Sequence, residues 1–400
     1  VTSYGVPSVS VITGGSALST AGQDGVVLTG SNFGPLGTDE HDISAWYGPV
    51  TQLTQFTATR CNVTQANTEM RCWTAVGVGY DHSWTVSVGD QLSVATSTAA
   101  SKTSYAVPSI VSVRMSGSST TMRTSGSESI VINGTNFGPA STAWNVMNAT
   151  YSGALGMVYV VLSCSVVVDH VSAMCLSTVG VGALNTWRVN VGGQWSAVST
   201  DTLNYTAPAI TGTSGAVTML TSGGESVMLS GTNFGAIGGS VSAVIGEYGW
   251  TGSTYVALDC VVTTDHVGVT CTTVEGVGAN LVWRLTIGGQ QSALSVATTS
   301  YIVPVITSIT KPVTSSVDVL SMPTGGGTRV QLTGTNLGPL TNNPVTAVYG
   351  VSGPAYRYSG VNCVVVTAHT VIECVSSAGV GHDLVWSVKV GNQSSPSSSA

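Results

Sequence analysis

Five landmarks recur four times in the same order along this 400-residue chain, and that constrains its fold more than any other feature. A Gly-x-Asn-(Phe/Leu)-Gly motif occupies Gly30–Gly34, Gly134–Gly138, Gly231–Gly235 and Gly334–Gly338, at spacings of 104, 97 and 103 residues. Two cysteines follow in each unit, always eleven positions apart: Cys61 and Cys72, Cys164 and Cys175, Cys260 and Cys271, Cys363 and Cys374. Then come a Gly-Val-Gly at 77–79, 180–182, 276–278 and 379–381, and a tryptophan at Trp84, Trp187, Trp283 or Trp386. A Tyr-x-x-Pro stands at each boundary, at Tyr4–Pro7, Tyr105–Pro108, Tyr205–Pro208 and Tyr301–Pro304. Self-similarity at a fixed period marks an array of like units rather than one large fold.

Within a unit the hydrophobic period is two. Trp187, Val189 and Val191 alternate with Arg188 and Asn190; Trp283, Leu285 and Ile287 with Arg284 and Thr286; Trp386, Val388 and Val390 with Ser387 and Lys389. Such alternation puts one face of a strand in a core and the other in water. No segment sustains a 3.6-residue period, so little helix is expected. About a hundred residues per unit, with short alternating strands and glycine-rich turns, describe a β-sandwich. The expected architecture is therefore all-β: four tandem immunoglobulin-like sandwiches forming an elongated rod. The repeats run over residues 1–106, 107–206, 207–303 and 304–400, with residues 1–5 completing a preceding repeat.

Charge is scarce: 7% of residues are charged, against about 25% in an average soluble protein. With 42% hydrophobic residues the chain is nevertheless a folding one, because disordered segments lack such residues. A net charge of −7 with 11 basic residues, none in a run, argues against nucleic acid as a partner. The longest weakly polar stretch, Ala154 to Val168, is too short for a spanning helix and broken by Gly156, Ser163 and Ser165, so no membrane segment is expected.

The cysteine spacing fits a hairpin. Asp169–His170 lies midway between Cys164 and Cys175, and Asp265–His266 midway between Cys260 and Cys271. A turn there sets the two sulfurs opposite one another on adjacent strands, at the separation a disulfide needs. On the chain-entropy account each bridge is worth about 3 kcal/mol, less where the hairpin is already local. Metal binding is the alternative, but two cysteines with ten residues between them and no second close pair do not match a zinc site. Disulfides place the chain in an oxidising, secretory setting.

Taken together, a Pro-x-Ile near the start of a unit, the Gly-x-Asn-Phe-Gly motif, the paired-cysteine hairpin and a closing Val-x-Val-Gly strand resemble the IPT/TIG family. The resemblance covers essentially the whole chain, once per repeat; Leu337 replaces the phenylalanine in the fourth unit. It implies an immunoglobulin-like fold. It does not transfer a function, because the module serves adhesion, signalling and DNA-binding proteins alike. The Gly-x-Asn-Phe-Gly motif itself reads as a strand end running into a turn, its glycines taking backbone angles closed to other residues and its phenylalanine capping the core.

No catalytic constellation emerges. There is no Gly-x-Ser-x-Gly elbow, His-Glu-x-x-His, Walker loop or Cys-x-x-Cys. His170, His266 and His369 occupy equivalent hairpin turns, which is a structural position repeated rather than a converging site. The cluster Asp39–Glu40–His41–Asp42 has the carboxylates of a calcium site without its glycine-spaced pattern, and reads as a solvated loop. The expected protein is not an enzyme and carries no cofactor.

Modification is the chemistry the sequence does offer. Sequons at Asn62, Asn133, Asn148, Asn204 and Asn392 are glycan acceptors in a secreted β-protein, with Asn392 expected to be most accessible and Asn133 hindered at a strand end. The Ser-Ser-Pro-Ser-Ser-Ser stretch at 394–399 resembles an O-glycan region. Sugar, or burial in an assembly, would keep so uncharged a surface soluble. Thr2–Ser3–Tyr4 matches Thr103–Ser104–Tyr105 and Thr299–Ser300–Tyr301, whereas the fourth unit stops short of its own Tyr-x-x-Pro. The chain is expected to be part of a longer array, or else to meet its neighbours head to tail by strand completion. The leading functional expectation is a glycosylated extracellular subunit of a fibre, hair or surface coat that self-associates; the alternative is the stalk of an adhesin or receptor binding a protein or glycan.

Overall fold

In the computed structural model, residues 1–140, 145–238, 244–341, 343–351 and 356–398 are described. The chain divides into two compact units, Val1–Tyr205 and Thr206–Ala400. Each unit holds two sandwiches.

The first sandwich sets the pattern. Strands β1 (Ser8–Thr13), β2 (Gly25–Ser31), β5 (Thr59–Gln65) and β6 (Glu69–Trp73) form one antiparallel sheet in the order β1-β2-β6-β5. The second sheet runs β4-β3-β7-β8, from β3 (Ile43–Gly48), β4 (Phe56–Thr57), β7 (His82–Val88) and β8 (Gln91–Leu92), with β9 (Lys102–Thr103) also on β7. The second and third repeats reproduce both sheets. In them the closing strand, Thr202–Tyr205 or Thr298–Tyr301, also pairs in parallel with a two-residue strand ending in Met122 or Met219. In the fourth repeat one ten-residue strand, Tyr358–Thr367, passes from one sheet to the other and joins them into seven strands. Among the described residues helix is confined to two single 3-10 turns, Ala99–Ser101 and Val319–Ser321.

Period-two patterning decides which side chains meet in each core. Trp187, Val189 and Val191 are buried while Arg188 is exposed, and Trp283, Leu285 and Ile287 are buried between half-buried neighbours. The fourth repeat departs from this pattern at Ser387, which is buried although it points away from Trp386; its hydroxyl donates to the Ser395 carbonyl. Each repeated tryptophan lies opposite a tyrosine on the neighbouring strand and stacks on it. Ring centroids are 4.4 Å apart for Tyr47 and Trp84, 4.3 Å for Tyr151 and Trp187, 4.4 Å for Tyr248 and Trp283, and 4.2 Å for Tyr349 and Trp386. Stacked pairs of this kind add about 0.5–1.5 kcal/mol beyond the area they bury.

The four disulfides join the expected partners across the β5–β6 hairpin and its equivalents, with Cα atoms 4.0–4.2 Å apart. Direct strand pairing holds in the second repeat, where Cys164 faces Cys175. In the other three repeats a bulge precedes the first cysteine, and Arg60, Asp259 and Asn362 take positive φ there. The turn midway between the cysteines has a left-handed residue in every repeat: Asn67, His170, His266 or His369.

Candidate functional site: the joint between repeats

The Gly-x-Asn-Phe-Gly motif works differently from the sequence expectation in one respect. Its final glycine is left-handed, at φ 93° for Gly34, but so is the asparagine, at φ 60° for Asn32. The first glycine is required for space instead: a Cβ on Gly30 would collide with the Ser8 carbonyl and the Phe33 ring. Phe33, Phe137, Phe234 and Leu337 are fully buried, as expected of a core cap. The left-handed turn aims the asparagine carboxamide back at the Tyr-x-x-Pro segment. Asn32 Nδ2 donates to Val6 O at 2.9 Å, Asn136 to Val107 O at 3.0 Å and Asn233 to Ala207 O at 3.2 Å.

Tyr105, Tyr205 and Tyr301 of the Tyr-x-x-Pro motifs each close a hydrogen-bonded ring inside the repeat before the proline. In the first repeat the Ala75 N–H donates to Tyr47 Oη at 2.8 Å, the Tyr47 and Tyr105 hydroxyls meet at 2.6 Å, and Tyr105 Oη donates to the Ala75 carbonyl at 2.8 Å. The same ring links Thr178, Tyr151 and Tyr205, and again Val274, Tyr248 and Tyr301. Burial pushes the Tyr47 and Tyr151 hydroxyls up to about 12 and drives Tyr105, Tyr205 and Tyr301 higher still, so all five stay protonated and able to donate. Glycine is needed beside each ring, because a Cβ on Gly77, Gly180 or Gly276 would strike the tyrosine hydroxyl.

Neighbouring repeats meet through one set of contacts, seen between repeats 1 and 2 in the first unit and between repeats 3 and 4 in the second. Thr20 Oγ1 lies 2.9 Å from His170 Nδ1, and Thr221 Oγ1 lies 3.0 Å from His369 Nδ1. The valine of the Gly-Val-Gly leaves its own repeat and packs into the core of the next: Val78 into that of repeat 2, Val277 into that of repeat 4. Its flanking glycine abuts a glycine of the next repeat, Gly79 against Gly192 and Gly278 against Gly391. A glutamine two residues on donates to the tyrosine carbonyl of the Tyr-x-x-Pro: Gln194 to Tyr105 O at 3.1 Å and Gln393 to Tyr301 O at 2.8 Å. Each buried valine contributes about 1.5–2 kcal/mol, and the carbonyl bond about 1 kcal/mol more. Sequence reading placed His170, His266 and His369 correctly in hairpin turns but missed the joint contacts of His170 and His369. The signal was present as a sixth landmark, a Gly-x-Gln at 89–91, 192–194, 288–290 and 391–393.

Among the described residues no strand occupies the closing-strand position of the fourth repeat, and a cavity of about 600 Å³ lies there. It is walled by Tyr349, Tyr358, Trp386, Leu384, Met322 and Gly379. Tyr349 Oη donates straight to the Ser377 carbonyl at 3.0 Å and also lies 3.2 Å from Ser377 Oγ. Among the described residues, the edge of Leu384 and Val385 that corresponds to the closing-strand side of Leu281 and Val282 has no strand on it. Leu384 and Met322 are half-buried, whereas Leu281 and Met219 are fully buried.

The other singled-out residues do not converge. Asp39 turns its carboxylate into its own loop, accepting from the His41 backbone at 3.1 Å and facing His41 Nδ1 at 2.9 Å. No group of three or more acidic, histidine or cysteine side chains poised for a metal occurs among the described residues. Asn62 and Asn148 are exposed on strands. Asn133 is half-buried, with Nδ2 donating to Ser112 and Oδ1 accepting from Ser172. Asn204 Oδ1 accepts from the Leu184 N–H at 2.7 Å. Asn392, read from sequence as the freest sequon, is exposed but clamps the joint: its carboxamide accepts from the Ala279 N–H at 2.7 Å and donates to the Ala279 carbonyl at 3.3 Å. Trp195 and Trp250, outside the repeated tryptophan position, are 43% and 42% exposed, and Arg188 covers one face of Trp195.

Fold and joints together define the class: tandem immunoglobulin-like sandwiches, disulfide-bonded, in which Tyr105–Pro108 and Tyr301–Pro304 belong to one repeat and dock on the next within their unit. No protein-family model matches the sequence, and no curated protein matches it. Among solved structures the chain is similar to the plexin A4 extracellular region, at 13% identity and TM-score 0.25, covering 95% of this chain and 36% of that one. It is also similar to a tetra-tandem repeat from the extending region of a large adhesion protein, at 12% identity and TM-score 0.31, covering 96% of both chains. A third is invasin, a bacterial integrin-binding protein, at 16% identity and TM-score 0.23, covering 96% of this chain and 76% of that one. The chain therefore spans little more than a third of that plexin ectodomain, and function has to be argued from its own residues. No helix among the described residues is long and apolar enough to cross a membrane.

Proposed function

We propose that this protein is a non-catalytic structural component of an extracellular assembly: a glycosylated subunit of a fibre, hair or surface coat whose copies join head to tail. The observation that carries the reading is the repeated joint. One set of threonine, valine, glycine, histidine and glutamine contacts recurs at both joints described, so the sequence has been kept suitable for end-to-end docking of sandwiches rather than for a unique pocket. Four disulfides favour an oxidising exterior. A chain with only 7% charged residues favours coverage of its surface by sugar or by neighbouring copies.

Electron microscopy of the native, unfractionated material at neutral pH tests this. Continuous filaments with an axial repeat of four sandwiches support it. Uniform, isolated particles at high concentration refute it and favour instead the stalk of a surface adhesin or receptor, with recognition carried elsewhere.

A further inference from the structure

The sequons Asn62 and Asn148 stand exposed on strands, and each shares its sheet face with a tryptophan stacked against arginine. We infer that these arginine-backed indoles, Trp73 and Trp195, are seats for the first sugars of N-linked glycans on Asn62 and Asn148, so that the sugar lies along the sheet. This rests on the glycosylation proposed above and names what the glycans pack on.

Strand register sets the geometry. In the first repeat Asn62 pairs with Arg71 across the β5–β6 hairpin, and Trp73 follows two residues on, on the same outward face of β6. Diagonal neighbours of this kind lie about 7–8 Å apart. The guanidinium carbons of Arg60 and Arg71 stand 4.9 and 5.1 Å from the Trp73 ring centroid. In the second repeat Asn148 pairs with Asn190 and Asn190 pairs with Trp195, which puts all three in one row across the sheet. Trp195 is thus two strand spacings from Asn148, about 10 Å. Arg188, on the same face, holds its guanidinium carbon 5.6 Å from the Trp195 centroid and is anchored by its Nε, which donates to Ser196 O at 3.0 Å. Among the described residues, arginine–tryptophan stacks occur on these two faces and not in repeats 3 and 4. The sequons without such a stack, Asn133, Asn204 and Asn392, commit their carboxamides to protein hydrogen bonds.

The chemistry of a sugar ring matches these seats. One side of a pyranose presents C–H bonds, which pack on the negative face of an indole, while its hydroxyl and acetamido oxygens accept hydrogen bonds. Among the described residues no carboxylate pairs with Arg60, Arg71 or Arg188, whereas Arg123 and Arg329 are paired with glutamates. The three guanidinium groups beside the tryptophans therefore keep N–H donors to offer. A glycan on Asn148 would also shield Val158 and Val160, exposed on the neighbouring edge strand where they pair with Ser152 and Thr150.

Hydroxyl-radical footprinting of the full chain secreted from eukaryotic cells, read by mass spectrometry, tests this. Asn148→Gln should speed oxidation of Trp195 and leave Trp73 unchanged, and Asn62→Gln should do the reverse. A glycan seated for two-thirds of the time protects its tryptophan about threefold, so a rise of that size is expected. Thr150→Ala destroys the Asn148 sequon but keeps the asparagine, and should expose Trp195 as Asn148→Gln does. Trp250 is 42% exposed against 43% for Trp195 and lies in a repeat without a sequon, so its rate should stay constant in every variant. A rise shared by Trp250, or a Trp195 that stays protected in Thr150→Ala, overturns the inference. Equal rates at Trp195 with and without an Asn148 glycan that glycopeptide analysis finds in place overturn it while leaving the glycosylation intact. Absence of sugar from both Asn62 and Asn148 overturns the inference and removes the glycans from the proposed function, and the filaments then judge the assembly on their own.

Discussion

The hydrogen-bonded ring in the first repeat makes an asymmetric prediction about two mutations that each delete one hydroxyl. In Tyr105→Phe the Ala75 carbonyl loses its 2.8 Å donor, but Tyr47 Oη already lies 3.5 Å from that carbonyl and can turn onto it. The fourth repeat displays this fallback, with Tyr349 bonded directly to Ser377. The cost should be that of one weakened bond, about 0.5–1 kcal/mol. In Tyr47→Phe the Ala75 N–H loses its acceptor, and Tyr105 Oη keeps the carbonyl but loses its neighbour. A partly buried donor left unpaired costs about 1–3 kcal/mol. Because a multidomain chain has no single unfolding free energy, the assay should be local. Native-state hydrogen exchange of residues 70–79 reads the opening equilibrium of this ring alone. Tyr47→Phe should speed exchange there about tenfold or more relative to Tyr105→Phe, since 1.4 kcal/mol is a factor of ten. Equal effects, or a larger effect of Tyr105→Phe, would refute the direction assigned to the ring.

Acid should weaken the first repeat selectively. Burial among Tyr47, Phe56 and Tyr105 pushes the His82 imidazole down to about 4, and Nε2–H donates to Val78 O at 3.1 Å. The folded state thus binds fewer protons than the unfolded one between about pH 6.5 and 4, so this contribution is intact above 6.5 and is lost as pH falls, up to about 3 kcal/mol. His82→Leu, the residue type at this place in repeats 3 and 4, should make the opening free energy of repeat 1, read from exchange rates corrected for their intrinsic pH dependence, independent of pH over that window; persistent acid sensitivity would assign it elsewhere. At the joint, Val78→Ala removes two methyl groups from the core of repeat 2, worth about 1.5 kcal/mol. Spin labels on repeats 1 and 2 should report a broadened distance distribution, and an unchanged one would mean that the valine does not hold the joint. Glycopeptide mass spectrometry should find Asn62 and Asn148 occupied and Asn133 empty, because both ends of the Asn133 carboxamide are engaged. Full occupancy at Asn133 would show that the strand pairs only after the sugar is added.

Much of this protein was legible in its sequence because the forces involved act over short separations. Parity along a strand sorts Trp187, Val189 and Val191 from Arg188 without knowledge of any partner. A turn midway between two cysteines fixes their pairing within twelve residues. Four repetitions of the same pattern then establish the sandwich array. What the tertiary structure alone decided lies in contacts between residues far apart in sequence. Thr20 and His170 are 150 positions apart, and Tyr47 and Tyr105 are 58, and neither pair has a local pattern announcing it. The left-handed asparagine of the Gly-x-Asn-Phe-Gly motif was read as ordinary turn chemistry, because its bond to the residue before proline joins positions 29 apart in sequence. The cavity beside Trp386 is likewise a property of packing, because its walls come from segments as far apart in sequence as Ile309, Tyr349 and Trp386.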